Sequence, residues 1–312
     1  MKGVFLDSAT LGPDIDISEL KSLPVDWQFF SFTSNEEVLE RSLGADIIIT
    51  NKVVIDAELI GKLPTLKLIC VAATGMNNID MVAADKNNIT VKNVTNYAGN
   101  SVAQVVFASV MQLLTNTLNY NAIVVEGKWS QSRSFCLFDF PITELTGKTL
   151  GLVGYGTLAK TVENIARAFD MEILISEHKG LDKVREGRTA FNDVIAKSDI
   201  ISLHCPLTTE TENLIAVTEF ELMKSSAIIV NTARGGIVNE ADLMAALTNN
   251  VIGGAIVDVI RQEPPDINYP LVNFTHPNLI ITPHIAWASK EARQRLTNQL
   301  AQNVQQFIVE PF

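Results

Sequence analysis

The chain has 312 residues, 47% of them hydrophobic and 19% charged, which is enough apolar material for more than one core. At roughly 100–200 residues per domain, two domains are expected. A formal net charge of -11 repels phosphate backbones, which excludes nucleic-acid binding as the main role. The three cysteines, Cys70, Cys136 and Cys205, form no CxxC pair and no cluster with histidines, so neither a disulfide framework nor a metal site is indicated, and the usage fits a reducing cytoplasm.

At the N-terminus only Val4-Phe5-Leu6 precedes Asp7, too short a run for a signal-peptide core. The first hundred residues then alternate strand and helix patterns. Val4–Leu6, Gln28–Phe32, Ile47–Thr50, Leu66–Ala72 and Ile89–Val94 read as strands. Ser34–Leu43 opens with Ser34 and carries Glu37 three residues later, a capping-box signature. Asp56–Leu63 and Ile79–Asn87 are further helices, and strands separated by helices imply a parallel sheet covered on both faces.

Asn100 to Glu126 contains neither Gly nor Pro and is apolar around most of a helical circumference. Such a helix must be buried on several sides, either between domains or at a subunit interface. Its richest part, Val102–Leu114, is interrupted by Gln104, Ser109 and Gln112 and is shorter than the roughly 20 residues of a bilayer span, so no membrane segment is expected. Lys128 to Lys148 holds Trp129, Phe135, Phe138 and Phe140 without periodicity; it reads as an interface arm or as a loop packed on its own domain.

A second series follows, with strands at Thr149–Val153, Glu172–Ser176, Ile200–Leu203, Ala227–Val230, Gly254–Val257 and Leu279–Thr282. Six strands with intervening helices match a doubly wound nucleotide-binding domain. Ser289–Ile308 closes the chain as one long amphipathic helix. The fold class is therefore α/β, with two doubly wound parallel-sheet domains.

Between the first and second strands of this series lies Gly154-Tyr155-Gly156-Thr157-Leu158-Ala159, a G-x-G-x-x-A dinucleotide fingerprint. Gly154 permits the tight turn, Gly156 lets backbone approach a pyrophosphate at a helix N-terminus, and Ala159 stands where close helix–strand packing is needed. The second strand ends at Glu177, 21 residues after Gly156, where an acid accepts hydrogen bonds from the adenosine ribose and repels a 2′-phosphate. NAD(H) is thus preferred; His178 and Lys179 could reach a phosphate, so NADP(H) stays open. Three more strand ends carry candidates, because open α/β sheets bind ligands there. Arg234, in Asn231-Thr232-Ala233-Arg234-Gly235-Gly236, offers a cationic fork to a carboxylate or makes a surface ion pair. Asp258 follows another strand, with Glu263 five residues on. His204 and His284 both end strands, and either could shuttle a proton near neutral pH.

The run 231–236, the pattern Asp258-Val259-x-x-x-Glu263-Pro264 and the run Thr282-Pro283-His284-Ile285-Ala286, in this order after the fingerprint, resemble the D-isomer-specific 2-hydroxyacid dehydrogenase family over nearly the whole chain. Ala73–Asn78, Ser134–Cys136, Pro141–Lys148 and Ile285–Leu296 are most similar to glycerate dehydrogenases, also called hydroxypyruvate reductases. The resemblance implies a Rossmann cofactor domain (100–284) inserted in a flavodoxin-like substrate domain (1–99 and 285–312), with substrate in the cleft between them, and a cytoplasmic homodimer to whose interface Asn100–Glu126 contributes. It also implies a set of roles. Arg234 would bind the substrate carboxylate, His284 would be the acid/base and Glu263 its partner, and the amides of Thr74, Gly75 and Met76 would cradle the carboxylate. Cofactor contacts carry over to Gly154, Gly156, Thr157, Leu158, Glu177, Cys205, Pro206, Thr232, Ala233 and Asp258, with Asp258 near the nicotinamide amide. The expected reaction is NADH-linked reduction of hydroxypyruvate or glyoxylate; another 2-keto acid, or a non-catalytic NAD(H) sensor similar to the C-terminal-binding-protein corepressors, are the alternatives. One departure stands out: Val106 occupies a position where the family usually offers a hydroxyl.

Overall fold

The short apolar runs become parallel strands in the computed structural model, which describes residues 1–181 and 183–309. The chain divides into two units, Met1–Ala98 with the segment from Ala288 onward, and Gly99–Trp287.

In the first unit β1 (Lys2–Phe5), α1 (Ser18–Ser22), β2 (Asp26–Phe29), α2 (Val38–Ser42), β3 (Ile47–Thr50), α3 (Ala57–Gly61), β4 (Leu68–Val71), α4 (Met81–Lys86) and β5 (Thr90–Lys92) follow one another. The strands pair in the order β2-β1-β3-β4-β5, all parallel. This is the flavodoxin-like order. All residues of β3 and β4 are buried, as continuous apolar strands in a sheet covered on both faces must be. Asp56 and Asp80 cap α3 and α4 by accepting from Leu59 N at 2.8 Å and Ala83 N at 2.9 Å.

The predicted helix from Ser34 is shorter. Only half of the capping box forms, with Glu37 Oε2 accepting from Ser34 N at 3.0 Å, and regular helix begins at Val38.

The second unit begins with two helices, α5 (Gly99–Thr115) and α6 (Thr117–Val125), where the sequence led to one. They meet at 55°. Asn116 breaks them with φ 53, a left-handed conformation that Asn tolerates, and its Nδ2 donates to Pro141 O at 2.8 Å. Burial also differs from the expectation. Val102, Ala103, Val106, Phe107 and Val110 of α5 are buried, but α6 buries only Ile123 and leaves Val125 80% exposed. In the following arm Phe135 and Phe138 are exposed, so packing on its own domain does not account for those two rings; Phe140 meets Tyr120 edge-on.

The sheet of this unit follows as β6 (Thr149–Val153), α7 (Thr157–Ala168), β7 (Glu172–Ile175), α8 (Phe191–Lys197), β8 (Ile200–Leu203), α9 (Val217–Leu222), β9 (Ile228–Asn231), α10 (Glu240–Thr248), β10 (Gly254–Val257), α11 (Pro270–Asn273) and β11 (Leu279–Ile281). The order is β11-β10-β9-β8-β6-β7, all parallel, and a parallel bridge between Ser176 and Thr189 extends the β7 edge. Strand order therefore reverses between β6 and β8, the place where a doubly wound sheet leaves a crevice for ligand. Gly151 in β6 keeps α8 close, since a Cβ there would lie 2.3 Å from Ser198 Oγ. α5 packs on α7, with Phe107 stacked on Phe169. Val106 of α5 is buried.

The chain then returns to the first unit as α12 (Lys290–Val309), capped by Ser289, whose hydroxyl accepts from Ala292 N at 3.2 Å. It buries Leu296, Leu300, Val304 and Phe307 and packs on α1 and β4. Among the described residues no single helix is long and apolar enough to cross a membrane.

Candidate active site

The fingerprint turn lies at the reversal between β6 and β8. Gly154 has φ 85, and a Cβ on it would come within 2.6 Å of Cys205 N, so this turn tolerates only glycine against the chain leaving β8. Gly156, the N-cap of α7, makes no side-chain cap bond, and a Cβ there would meet nothing within 4 Å. The first amides of α7, on Thr157 and Leu158, thus open onto free space at a positive helix end, and buried Ala159 seats the helix on the sheet. Across the sheet, the Thr232 hydroxyl after β9 is buried without a hydrogen-bond partner. An open glycine cradle, an uncapped helix start and an orphaned buried hydroxyl fit a dinucleotide.

Glu177 ends β7 as expected, but its carboxylate is taken. Oε1 accepts from His178 N at 2.8 Å and Arg185 Nη2 at 2.5 Å; Oε2 accepts from Arg185 Nε at 2.7 Å and Arg185 N at 3.2 Å. The Arg185 guanidinium foremost, then these amides, hold the carboxyl at about 2. Lys179 also lies elsewhere than the sequence suggested, paired with Glu219 at 2.7 Å.

At β8 the two histidine candidates separate. Burial pushes the His204 imidazole down to about 4, and its Nε2 lies 2.9 Å from Ser202 Oγ. A neutral ring bonded to its own strand is structural. Burial pushes the adjacent Cys205 thiol up to about 11, so it is no nucleophile near neutral pH, and Pro206 O accepts from Thr211 at 2.6 Å.

His284 follows β11 with φ 54 and pairs through Nδ1 with Glu263 Oε2 at 2.6 Å. Left-handed backbone costs an L residue about 1–2 kcal/mol, so something must hold this turn. Asp258, after β10, does so. Its carbonyl accepts from His284 N at 2.8 Å. Its carboxylate accepts from Ile285 N at 2.8 Å, Ala286 N at 2.9 Å and Thr282 Oγ1 at 2.5 Å. Asp258 is 2% exposed and clamps the turn that presents His284. Burial raises its carboxyl above the usual range, and the three donors oppose that rise.

Arg234 leaves β9 on a loop tied by Asn231, whose Nδ2 donates to Arg234 O at 2.9 Å and whose Oδ1 accepts from Ala233 N at 3.1 Å. Arg234 Nη1 donates to Ala233 O at 2.7 Å. A Cβ on Gly235 would lie 1.9 Å from Ile260 O, so this loop presses on the one that bears Glu263. Glu263 Oε1 in turn accepts from Ile260 N at 2.9 Å. A continuous set of contacts thus runs from the Arg234 loop through Ile260 and Glu263 to His284.

In the other unit Thr74, Gly75 and Met76 follow β4. Thr74 is braced by its hydroxyl on Val94 O at 3.0 Å and by Asn93 on its carbonyl at 2.7 Å, and the three amides make no hydrogen bond among the described residues. Among the described residues no group of three His, Cys, Asp or Glu side chains could hold a metal.

Residues 107–286 match the model of the D-isomer specific 2-hydroxyacid dehydrogenase NAD binding domain. The chain is 43% identical to the glycerate dehydrogenase of Methylorubrum extorquens over 308 residues, covering 98% of this chain and 96% of that one. It is 35% identical to the hydroxypyruvate reductase of Blautia hydrogenotrophica, covering 99% and 97%. An acyclic imino acid reductase solved with NADPH and D-Arg superposes with a TM-score of 0.84 at 28% identity, covering 99% of this chain and 97% of that one. The cofactor cradle, the clamped histidine–glutamate pair and these likenesses lead to one assignment: the chain belongs to the D-isomer-specific 2-hydroxyacid dehydrogenases, NAD-binding oxidoreductases.

Proposed function

We propose that the enzyme reduces hydroxypyruvate or glyoxylate to D-glycerate or glycolate with His284 as the acid/base. The observation that carries the reading is the 2.6 Å pairing of His284 Nδ1 with Glu263, which leaves Nε2 for the substrate. Glu263 fixes the ring's orientation. Bound NADH supplies the hydride to the carbonyl carbon. His284 gives its proton to the carbonyl oxygen, which becomes the hydroxyl; in the oxidative direction it takes that proton back. Arg234 binds the carboxylate and polarises the reacting oxygen. The substrate class follows from the names of the two enzymes similar to this chain over nearly its whole length.

The same reading makes the protein a cytoplasmic homodimer. Support comes from the apolar side chains left exposed on α6 and its arm, among them Val125, Phe135 and Phe138, a patch that a partner copy would cover.

The test is NADH absorbance with a panel of 2-keto acids. Hydroxypyruvate and glyoxylate are expected as the best substrates, and His284→Ala should lose about 10²–10⁴-fold in kcat. Arg234→Ala should raise KM steeply; an unchanged KM removes it from the site. NADH binding without turnover of any acid would overturn the reading in favour of a sensor.

A further inference from the structure

We propose that Ser101 is a positioning residue for proton transfer: its buried hydroxyl fixes the far end of the turn that presents His284. The proposal rests on the reading of His284 as the acid/base.

Ser101 is the third residue of α5, in a first turn that also buries Val102 and Ala103. A buried hydroxyl without a partner costs stability, and Ala is the better helix former, so packing and propensity alone both favour Ala at this position. A serine inside a helix ordinarily bonds the carbonyl four residues before it. Here that carbonyl is Tyr97 O, which accepts from Arg295 Nε at 2.9 Å and Arg295 Nη2 at 2.7 Å. The Ser101 hydroxyl donates instead to Ala286 O at 2.7 Å, across 185 residues of sequence. Ser101 is 5% exposed and Ala286 1%, so water does not compete for this bond.

Ala286 lies two residues past His284, and its backbone is gripped on both sides. Its N–H donates to Asp258 Oδ2 at 2.9 Å, while its carbonyl takes the Ser101 hydroxyl. The same carboxylate accepts from Ile285 N at 2.8 Å, and the Asp258 carbonyl accepts from His284 N at 2.8 Å. Asp258 thus holds the turn from His284 to the amide of Ala286, and Ser101 holds the carbonyl with which it ends. His284 has φ 54, which an L residue keeps only where its surroundings dictate it. Proton transfer needs the imidazole within hydrogen-bond reach of the carbonyl oxygen, so a small displacement of the turn lowers the rate steeply. The same bond also fastens the third residue of the Gly99–Trp287 unit to its last but one, which makes a purely stabilising staple the competing explanation.

Steady-state reduction of hydroxypyruvate by Ser101→Ala, alone and combined with His284→Ala, separates the two roles. Alone, Ser101→Ala should lower kcat by about tenfold while KM moves less than about threefold. In the His284→Ala background it should add less than about threefold, because a residue that acts through the imidazole has nothing left to position. Ser101→Cys, which fills the same space with a weak donor, carries the same comparison if Ser101→Ala does not fold. A loss that stays about tenfold in both backgrounds overturns the proposal in favour of the staple. So does a wild-type kcat in the folded Ser101 variant. His284→Ala by itself keeps the two levels apart: wild-type turnover there rejects the acid/base reading, whereas a large loss there with none at Ser101 rejects the positioning role alone.

Discussion

Two acidic residues end strands of the same sheet, and they are held in opposite ways. Asp258, after β10, is 2% exposed and takes two backbone amides and a hydroxyl from the turn that carries His284. Glu177, after β7, is equally buried, but its main partner is the guanidinium of a long side chain that faces water. The first arrangement fixes the His284 turn by main-chain geometry. The second screens a charge with a guanidinium at the surface. A buried carboxylate therefore has no single meaning in this fold; its donors decide whether it builds a turn or anchors a surface arginine.

The sharpest way to break the contrast is Asp258→Ala. It orphans the amides of Ile285 and Ala286 and the Thr282 hydroxyl, at about 1–3 kcal/mol for each group that stays dry. We expect a loss of several kcal/mol in denaturant unfolding and a fall in kcat, because the left-handed His284 loses its support. Retained stability would show that the clamp is dispensable.

Next in size is a pH effect at His204, which lies beside the fingerprint turn. Its ring is held at about 4 in the fold, against about 6.5 in the unfolded chain. Above pH 6.5 it is neutral in both states and contributes no slope. As pH falls from 6.5 to 4 the unfolded chain binds the proton first, so stability drops by up to about 3 kcal/mol and levels off below. His204→Gln should flatten that segment of the stability curve; an unchanged curve would assign the slope to other groups.

Gly235→Ala comes third. Its Cβ would overlap Ile260 O, forcing the Arg234 loop off the Glu263 loop, with about 1–3 kcal/mol of destabilisation and a lower kcat/KM. The smallest effect on unfolding is expected from Arg185→Ala, since water replaces an exposed guanidinium; a loss comparable to that of Asp258→Ala would erase the distinction between the two acids.

Much of this was legible in the residues. β3, β6, β8 and β10 occupy the runs read from the sequence, because strands covered on both faces must be largely apolar. The fingerprint could be placed because glycine is required where Gly154 meets Cys205. The break at Asn116 was not legible: asparagine interrupts a helix only where local bonds reward the left-handed turn, and the acceptor, Pro141 O, lies 25 residues away. The Asp258 clamp was missed because two of its three donors are backbone amides, which leave no mark on composition. Arg185 was missed because its loop has no period to read, and Lys179, nearer in sequence to Glu177, turns to Glu219 instead.

The chain's exit from the first unit at Ala98 and its return at Ala288 also impose an order on biosynthesis. The ribosome delivers the whole Gly99–Trp287 unit before it has made α12, the helix whose Leu296, Leu300 and Val304 complete the first core. Until then the flavodoxin-like sheet has an uncovered apolar flank on β4. The nascent protein therefore acquires its cofactor cradle first and closes its opening domain last, a window in which a chaperone or a bound dinucleotide would do the most to keep it from aggregating.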